Sequence, residues 1–93
     1  MTMQNTMSLE LSFHTDAGHG WLEVPRKVAR AVLGDKYQLI SRYSYQNHVN
    51  VYLEEDSDAT LFFEACRING VCYKLAEKYC DPSPIRLYAG FVH

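Results

Sequence analysis

Apolar and polar residues alternate along several stretches of this chain. Leu9, Leu11 and Phe13, for example, are separated by a glutamate and a serine. A period of two residues is typical of strands that bury one face. From this pattern, and from the glycine, asparagine and proline residues between the stretches, we predict strands at residues 9–13, 21–24, 37–45, 49–54, 71–75 and 85–91.

Two other stretches repeat apolar residues at a helical spacing. The clearer stripe covers residues 59–66, and it follows acidic residues that suit the N-terminus of a helix. A shorter stripe follows Pro25, because proline is favourable at the first position of a helix, and it stops at Gly34. We therefore predict one helix in each stretch.

In chain order these elements read ββαββαββ. Because only two helices separate the strands, we expect an α+β fold with a single-layer, mainly antiparallel sheet and both helices packed on one face. We expect residues 1–6 to form a flexible N-terminal arm and residues 7–93 to form a single domain. The opposite sheet face is either ordinary solvent-exposed surface or a homodimer interface, and its predicted residues are Arg42, Tyr52, Lys74, Arg86 and Tyr88.

The overall composition is that of a globular domain and excludes some classes of partner. The 93 residues are 47% hydrophobic and 22% charged, with a net charge of −2, so direct binding of nucleic acid is not expected. No apolar run reaches the roughly 20 residues that span a bilayer, and we expect neither membrane association nor a signal peptide. These features favour a cytoplasmic protein without a cofactor.

Three cysteines, Cys66, Cys72 and Cys80, form no C-x-x-C pair. Reduced thiols that act as small apolar side chains are one interpretation. A redox role, or an intermolecular disulfide through Cys80, is the other.

The loop that contains His14, Asp16 and His19 is the first candidate for chemistry. Two histidines and a carboxylate can hold a transition metal, but a glycine-bent loop with local hydrogen bonds fits the same residues. A third interpretation is a loop that contacts a partner through the apolar Trp21. The sequence contains no G-x-S-x-G nucleophile motif and no glycine-rich phosphate loop, so we assign no catalytic residue.

The acidic residues Glu54, Glu55, Asp56 and Asp58 form the second candidate. Acidic side chains at the start of a helix are favourable for electrostatic reasons alone. They can equally form a patch that binds a basic surface of a partner.

Three segments of the chain resemble a group of small uncharacterised proteins of bacteria, their phages and their plasmids. The segments are FHTDAGHGWLEVP (13–25), ISRYSY (40–45) and YLEEDSDATLFFEA (52–65). The resemblance implies a bacterial cytoplasmic setting and no catalytic residue. Many small acidic α+β proteins of that setting inhibit host defence systems, as anti-CRISPR proteins do.

The first functional hypothesis is therefore a non-enzymatic protein-binding module that blocks the surface of a larger bacterial protein or nucleoprotein complex. Its expected contact residues are His14, Asp16, His19, Trp21, Glu54, Glu55, Asp56 and Asp58. The alternative is a small metal-binding protein or metal-dependent enzyme that uses His14, Asp16 and His19.

Overall fold

A computed structural model describes residues 8–93, which form six strands, two α-helices and two 3₁₀ helices. The predicted flexible arm, residues 1–6, lies outside the described residues. The α+β class is confirmed. The elements are β1 (Ser8–Thr15), β2 (Gly20–Pro25), α1 (Arg26–Leu33), a first 3₁₀ helix (Gly34–Leu39), β3 (Tyr45–Gln46), β4 (Asn50–Glu54), α2 (Asp58–Asn69), β5 (Cys72–Tyr79), a second 3₁₀ helix (Pro84–Leu87) and β6 (Ala89–Gly90).

The strands form one mixed sheet in the order β5-β1-β2-β4-β3-β6. β5 runs parallel to β1 along its whole length, whereas the other ladders are antiparallel. The predicted mainly antiparallel sheet in the order ββαββαββ is therefore wrong, because the longest ladder is parallel and two 3₁₀ helices interrupt the order. The cause is α2, which returns the chain to the end of the sheet where β4 began, so that β5 runs in the same direction as β4 and β1.

Both helices cover the same face of the sheet. Alternate residues of β2 and β4 share one apolar core with residues of α1 and α2. α1 begins directly after Pro25, and α2 ends at Gly70, whose φ of 68° is in the left-handed region that favours glycine. The core residues from these four elements are Leu22, Val24, Ala29, Val32, Leu33, Val51, Leu53, Ala59, Phe62, Ala65 and Cys66.

The opposite face of the sheet is partly covered by the C-terminal segment. Trp21 and Tyr52 point away from the helices and pack with Ile85 in a second, smaller apolar cluster. The ring of Tyr88 lies 5.0 Å from that of Tyr52, which is buried rather than exposed as we expected. The sheet therefore buries apolar side chains on both of its faces.

The prediction of a last strand at residues 85–91 is wrong, because most of this segment belongs to the C-terminal cover of the sheet. Residues 84–87 form a 3₁₀ helix, which begins where the Ser83 hydroxyl accepts a hydrogen bond from the Ile85 amide at 3.2 Å. Pro84 has no N–H to contribute to a ladder. Only β6 remains as a strand, and it pairs with β3 at the edge farthest from β5.

The first half of the predicted central hairpin also differs from the structure. Residues 34–39 form a 3₁₀ helix that buries Tyr37, and β3 is limited to two residues. Between these elements, Ser41 and Ser44 donate hydrogen bonds to the Asp58 carboxylate. Serine side chains that bond locally compete with ladder formation, and the alternating pattern of residues 37–45 could not reveal this.

Candidate functional site

Asp16 organises the loop between β1 and β2. Its carboxylate accepts hydrogen bonds from the amides of Gly18 and His19 at 3.0 and 2.9 Å, and from the Ser83 amide at 3.0 Å. Arg86 adds two more bonds, from Nε at 2.6 Å and Nη2 at 2.9 Å. The side chain of Asp16 is only 1% exposed. This residue holds the loop against the C-terminal segment and offers no surface to a partner.

The same contacts govern the ionisation of Asp16. The guanidinium of Arg86 holds the pKa of the Asp16 carboxyl far below its usual range, and the three backbone amides act in the same direction against the opposing effect of burial. Asp16 is therefore charged at all physiological pH values. In return, the carboxylate raises the pKa of Arg86.

The two histidines of the predicted loop do not join Asp16 in a metal site, and His14 belongs to β1. His14 Nε2 lies 2.7 Å from Glu23 Oε1 on the sheet face, while His19 is exposed and its ring lies 5.9 Å from that of Trp21. Within residues 8–93, no group of three or more His, Cys, Asp or Glu side chains is placed to hold a metal ion. The structure therefore separates the three residues of the metal hypothesis.

The acidic segment divides into structural and outward-facing residues. Glu54 accepts hydrogen bonds from the amides of Asp56 and Ser57, and Asp58 is buried against Ser41 and Ser44. Asp56 is exposed and Glu55 half-buried. Glu54 is half-buried as well, so Asp58 alone of the four acidic residues is inaccessible to a partner.

Glu54 is ionised in spite of its partial burial. Burial acts to raise the pKa of the Glu54 carboxyl, but the hydrogen bonds from Asp56, Ser57 and Asp58 outweigh it and leave the pKa below its ordinary value. The carboxylate thus orders the first turn of α2 and keeps its negative charge at neutral pH.

The histidine loop and the acidic segment meet at one end of the sheet. Trp21 of β2 pairs with Glu54 of β4 in the antiparallel ladder, and the Glu55 amide donates to the Gly20 carbonyl at 3.0 Å. Gly20 allows this approach, because a Cβ there would lie 2.6 Å from a Glu55 carboxylate oxygen and 2.9 Å from the Phe13 ring. The two segments that the sequence predicts to contact a partner are therefore adjacent.

A pocket of about 370 Å³ lies between these two segments. We call it the aromatic–acidic pocket, and it is lined by His19, Trp21, Tyr43, Tyr45, Glu54, Asp56 and Arg86. The rings of Trp21 and Tyr45 are 6.1 Å apart, and the Arg86 guanidinium lies over the Trp21 ring at 5.3 Å. Sequence reasoning missed Tyr43, Tyr45 and Arg86 as members of this site, because they come from segments that were predicted as regular strands.

The pocket carries a negative charge. Arg86 is paired with Asp16, so its charge is balanced, whereas Asp56 makes no side-chain ion pair among the described residues. Glu54 adds a second carboxylate. Aromatic rings next to carboxylates favour a cationic group, because the ring faces and the carboxylates both attract positive charge.

A larger hollow of about 670 Å³ lies elsewhere, lined by Arg26, Gln46, Asn47, His48, Tyr88 and Ala89. It contains no residue of the two candidate contact segments, although Tyr88 was expected on the possible homodimer face. The Arg26 guanidinium is bonded to the Asn47 carbonyl at 2.5 Å and to the Gln46 side chain at 3.3 Å. We therefore base the functional proposal on the smaller pocket.

Comparison with known protein families, curated proteins and solved structures gives no information on the function. No protein family, curated protein or solved structure matches this chain. The resemblance to small bacterial and phage proteins therefore stays a prediction. No helix in residues 8–93 has the length and apolar character needed to cross a membrane.

Proposed function

We propose that this protein is a non-enzymatic protein-binding module of a phage or mobile element. It blocks the surface of a larger bacterial protein or nucleoprotein complex in the host cytoplasm, in the manner of an anti-CRISPR inhibitor. The observation that carries the proposal is the junction of the histidine loop and the acidic segment around the aromatic–acidic pocket.

The chemistry of this pocket supports a basic partner. Arginine or lysine side chains bind aromatic faces and carboxylates together. The pocket offers the rings of Tyr43 and Tyr45 beside two carboxylates, Glu54 and Asp56. The Trp21 ring forms the buried floor, because it is 3% exposed and Arg86 already lies over it. Basic surfaces are typical of proteins that handle nucleic acid. Charge complementarity to such a surface gives fast and specific association.

Two accessible pocket residues allow a direct test. Asp56 and Tyr43 are exposed and line the pocket, so their replacement leaves the buried contacts of Asp16 and Asp58 intact. We expect Asp56→Lys and Tyr43→Ala each to weaken binding of the partner by about tenfold, or about 1.4 kcal/mol. The measurement is affinity capture from a bacterial host, followed by titration of the purified captured protein.

Asp35→Lys is the matched control, because it reverses one exposed acidic residue in the first 3₁₀ helix, outside the pocket. We expect this variant to bind like the wild type. Equal binding by Asp56→Lys, Tyr43→Ala and Asp35→Lys would remove the pocket from the proposal.

The inhibitory role requires a separate measurement in cells. We expect expression of the wild-type protein to restore plating of a phage on a strain whose defence system targets it, and Asp56→Lys to reduce that effect. Capture of a partner without any change in plating would retain the binding module and reject the inhibitor.

A further inference from the structure

Among residues 8–93, β5 forms an edge of the sheet that is open along its whole length. Its inner side pairs with β1 through an unbroken register from Cys72 to Tyr79, and every residue of the strand is exposed. No other strand within residues 8–93 pairs with its outer side. Free N–H and C=O groups at such an edge pair readily with another chain, so edge strands are commonly short, bulged or interrupted by proline. β5 shows none of these three features.

The two lysines of β5 lie on only one of its faces. Lys74 and Lys78 pair in register with Glu10 and His14 of β1, on the face away from the helices. On the helix face, Leu75 and Tyr79 are exposed, and Tyr79 is 67% exposed. Glu77 lies between these two residues on the same face. Exposed apolar side chains along an open edge indicate an interaction surface.

A groove accompanies β5 on the same helix face. Its volume is about 460 Å³, and the stacked rings of Phe63 and Tyr73, 5.0 Å apart, form its apolar part. Val71 closes the groove next to the start of β5. The full lining is Thr60, Phe63, Glu64, Arg67, Val71 and Tyr73.

We propose that a second copy of this chain occupies this edge, through antiparallel pairing of the two β5 strands about a two-fold axis beside Leu75. The two sheets then form one continuous sheet. Closed two-fold dimers are the commonest oligomers, because one self-complementary surface is sufficient.

The charges on β5 select this register. A two-fold axis normal to the sheet keeps each side chain on the same face in both copies. Residues directly opposite each other in an antiparallel pair share a face, whereas neighbours along one strand do not. The axis must therefore pass beside a residue, because an axis between two residues would pair side chains of opposite faces. An axis beside Lys74 or Glu77 places that residue opposite its own copy, and an axis beside Ala76 places Lys74 opposite Lys78. Like charges directly opposite each other are destabilising. Among the central positions 74–77, only Leu75 avoids them.

The Leu75 register also fills the groove. It places Tyr79 of the second copy opposite Val71, on the helix face and beside the rings of Phe63 and Tyr73. The same register places Glu77 opposite Tyr73 of the second copy, whose hydroxyl can donate a hydrogen bond to the carboxylate. Both contacts occur twice because of the symmetry, so the most exposed aromatic residue of β5 is buried in each copy.

The molar mass in solution tests the dimer. We expect light scattering of the wild-type protein to give twice the chain mass, and Leu75→Lys to give the single-chain mass, because two lysines would face each other at the axis. Leu87→Lys is the control, since Leu87 is 89% exposed in the second 3₁₀ helix, and it should remain dimeric. Circular dichroism verifies that all three proteins are folded. A monomeric wild type over a wide concentration range, or a dimeric Leu75→Lys variant, overturns the proposal.

Disulfide formation tests the register. The Leu75 register places Cys72 opposite position 78 of the second copy, so a Lys78→Cys/Cys80→Ser variant should form an intermolecular disulfide in oxidised glutathione. The wild type is the matched control. Its exposed Cys72 and Cys80 are directly opposite only in the Ala76 register, and we expect no covalent dimer. A covalent wild-type dimer without one in the variant would overturn the Leu75 register.

Discussion

A single carboxylate holds together segments that are far apart in the sequence. Asp16 accepts hydrogen bonds from its own loop, from Ser83 and from Arg86, which lies 70 positions later in the chain. The contact with Arg86 also places that guanidinium over Trp21. The H-T-D-A-G-H-G pattern predicted a bent polar loop over residues 14–20, and the structure confines that loop to residues 16–19. Nothing local in the pattern indicated that the partner of Asp16 lies in the C-terminal segment.

We predict that Asp16→Asn lowers the melting temperature at neutral pH, because a neutral amide cannot pair with Arg86. The pKa of Asp16 in the folded protein lies far below the value of about 3.9 in an unfolded chain. The unfolded wild type therefore binds a proton that the folded protein does not bind, and the contribution of Asp16 to stability is lost as the pH falls below about 4. The difference between wild type and variant should shrink between about pH 7 and about pH 3 in thermal unfolding followed by circular dichroism. Asp35→Asn, an exposed control, should change neither quantity, and a constant difference for Asp16→Asn would contradict this assignment.

At the scale of the elements, the start of α2 is tied to the segment before β3. Acidic residues before an apolar stripe predicted the helix correctly, and α2 begins at Asp58. The side chain of Asp58, however, is not a solvated helix-end charge. It is buried and accepts hydrogen bonds from the Ser41 amide and hydroxyl, and from the Ser44 hydroxyl at 2.6 Å. These bonds position the two tyrosines of the pocket that flank Ser44, a role that no sequence spacing could reveal.

We predict that Asp58→Ala lowers the free energy of unfolding by about 3 kcal/mol, because it removes charge-assisted hydrogen bonds and leaves the buried Ser44 hydroxyl without its acceptor. Asp56→Ala, at the same helix end but exposed, should cost less than about 1 kcal/mol. Urea denaturation measures both values. The double variant with Ser44→Ala should lose less than the sum of the two single losses. Equal costs for Asp56→Ala and Asp58→Ala would mean that both residues act only through the helix dipole.

At the scale of the whole molecule, local patterns predicted the helices and the central strands β1, β2 and β4. They did not predict the parallel position of β5, because a strand carries no signal for which neighbour it joins after a helical crossover. They also failed for residues 85–91, where an alternating pattern is compatible with a strand but two prolines and Ser83 favour a 3₁₀ turn. The aromatic–acidic pocket could not be predicted in full for the same reason, because Arg86 reaches it from the C-terminal segment.

Two residues of the second 3₁₀ helix test whether the C-terminal segment covers the second face of the sheet. In a strand, Ile85 and Leu87 would point to the same face, and their truncation would have similar effects. In the structure, Ile85 is 1% exposed between Trp21 and Tyr52, whereas Leu87 is 89% exposed. We therefore predict that Ile85→Ala lowers the free energy of unfolding by about 2 to 4 kcal/mol, because it leaves a cavity in the second apolar cluster, while Leu87→Ala changes it by less than about 0.5 kcal/mol. Similar losses for the two variants in urea denaturation would show that the C-terminal segment does not close the second face of the sheet, and the aromatic–acidic pocket would then lose the wall that Arg86 provides.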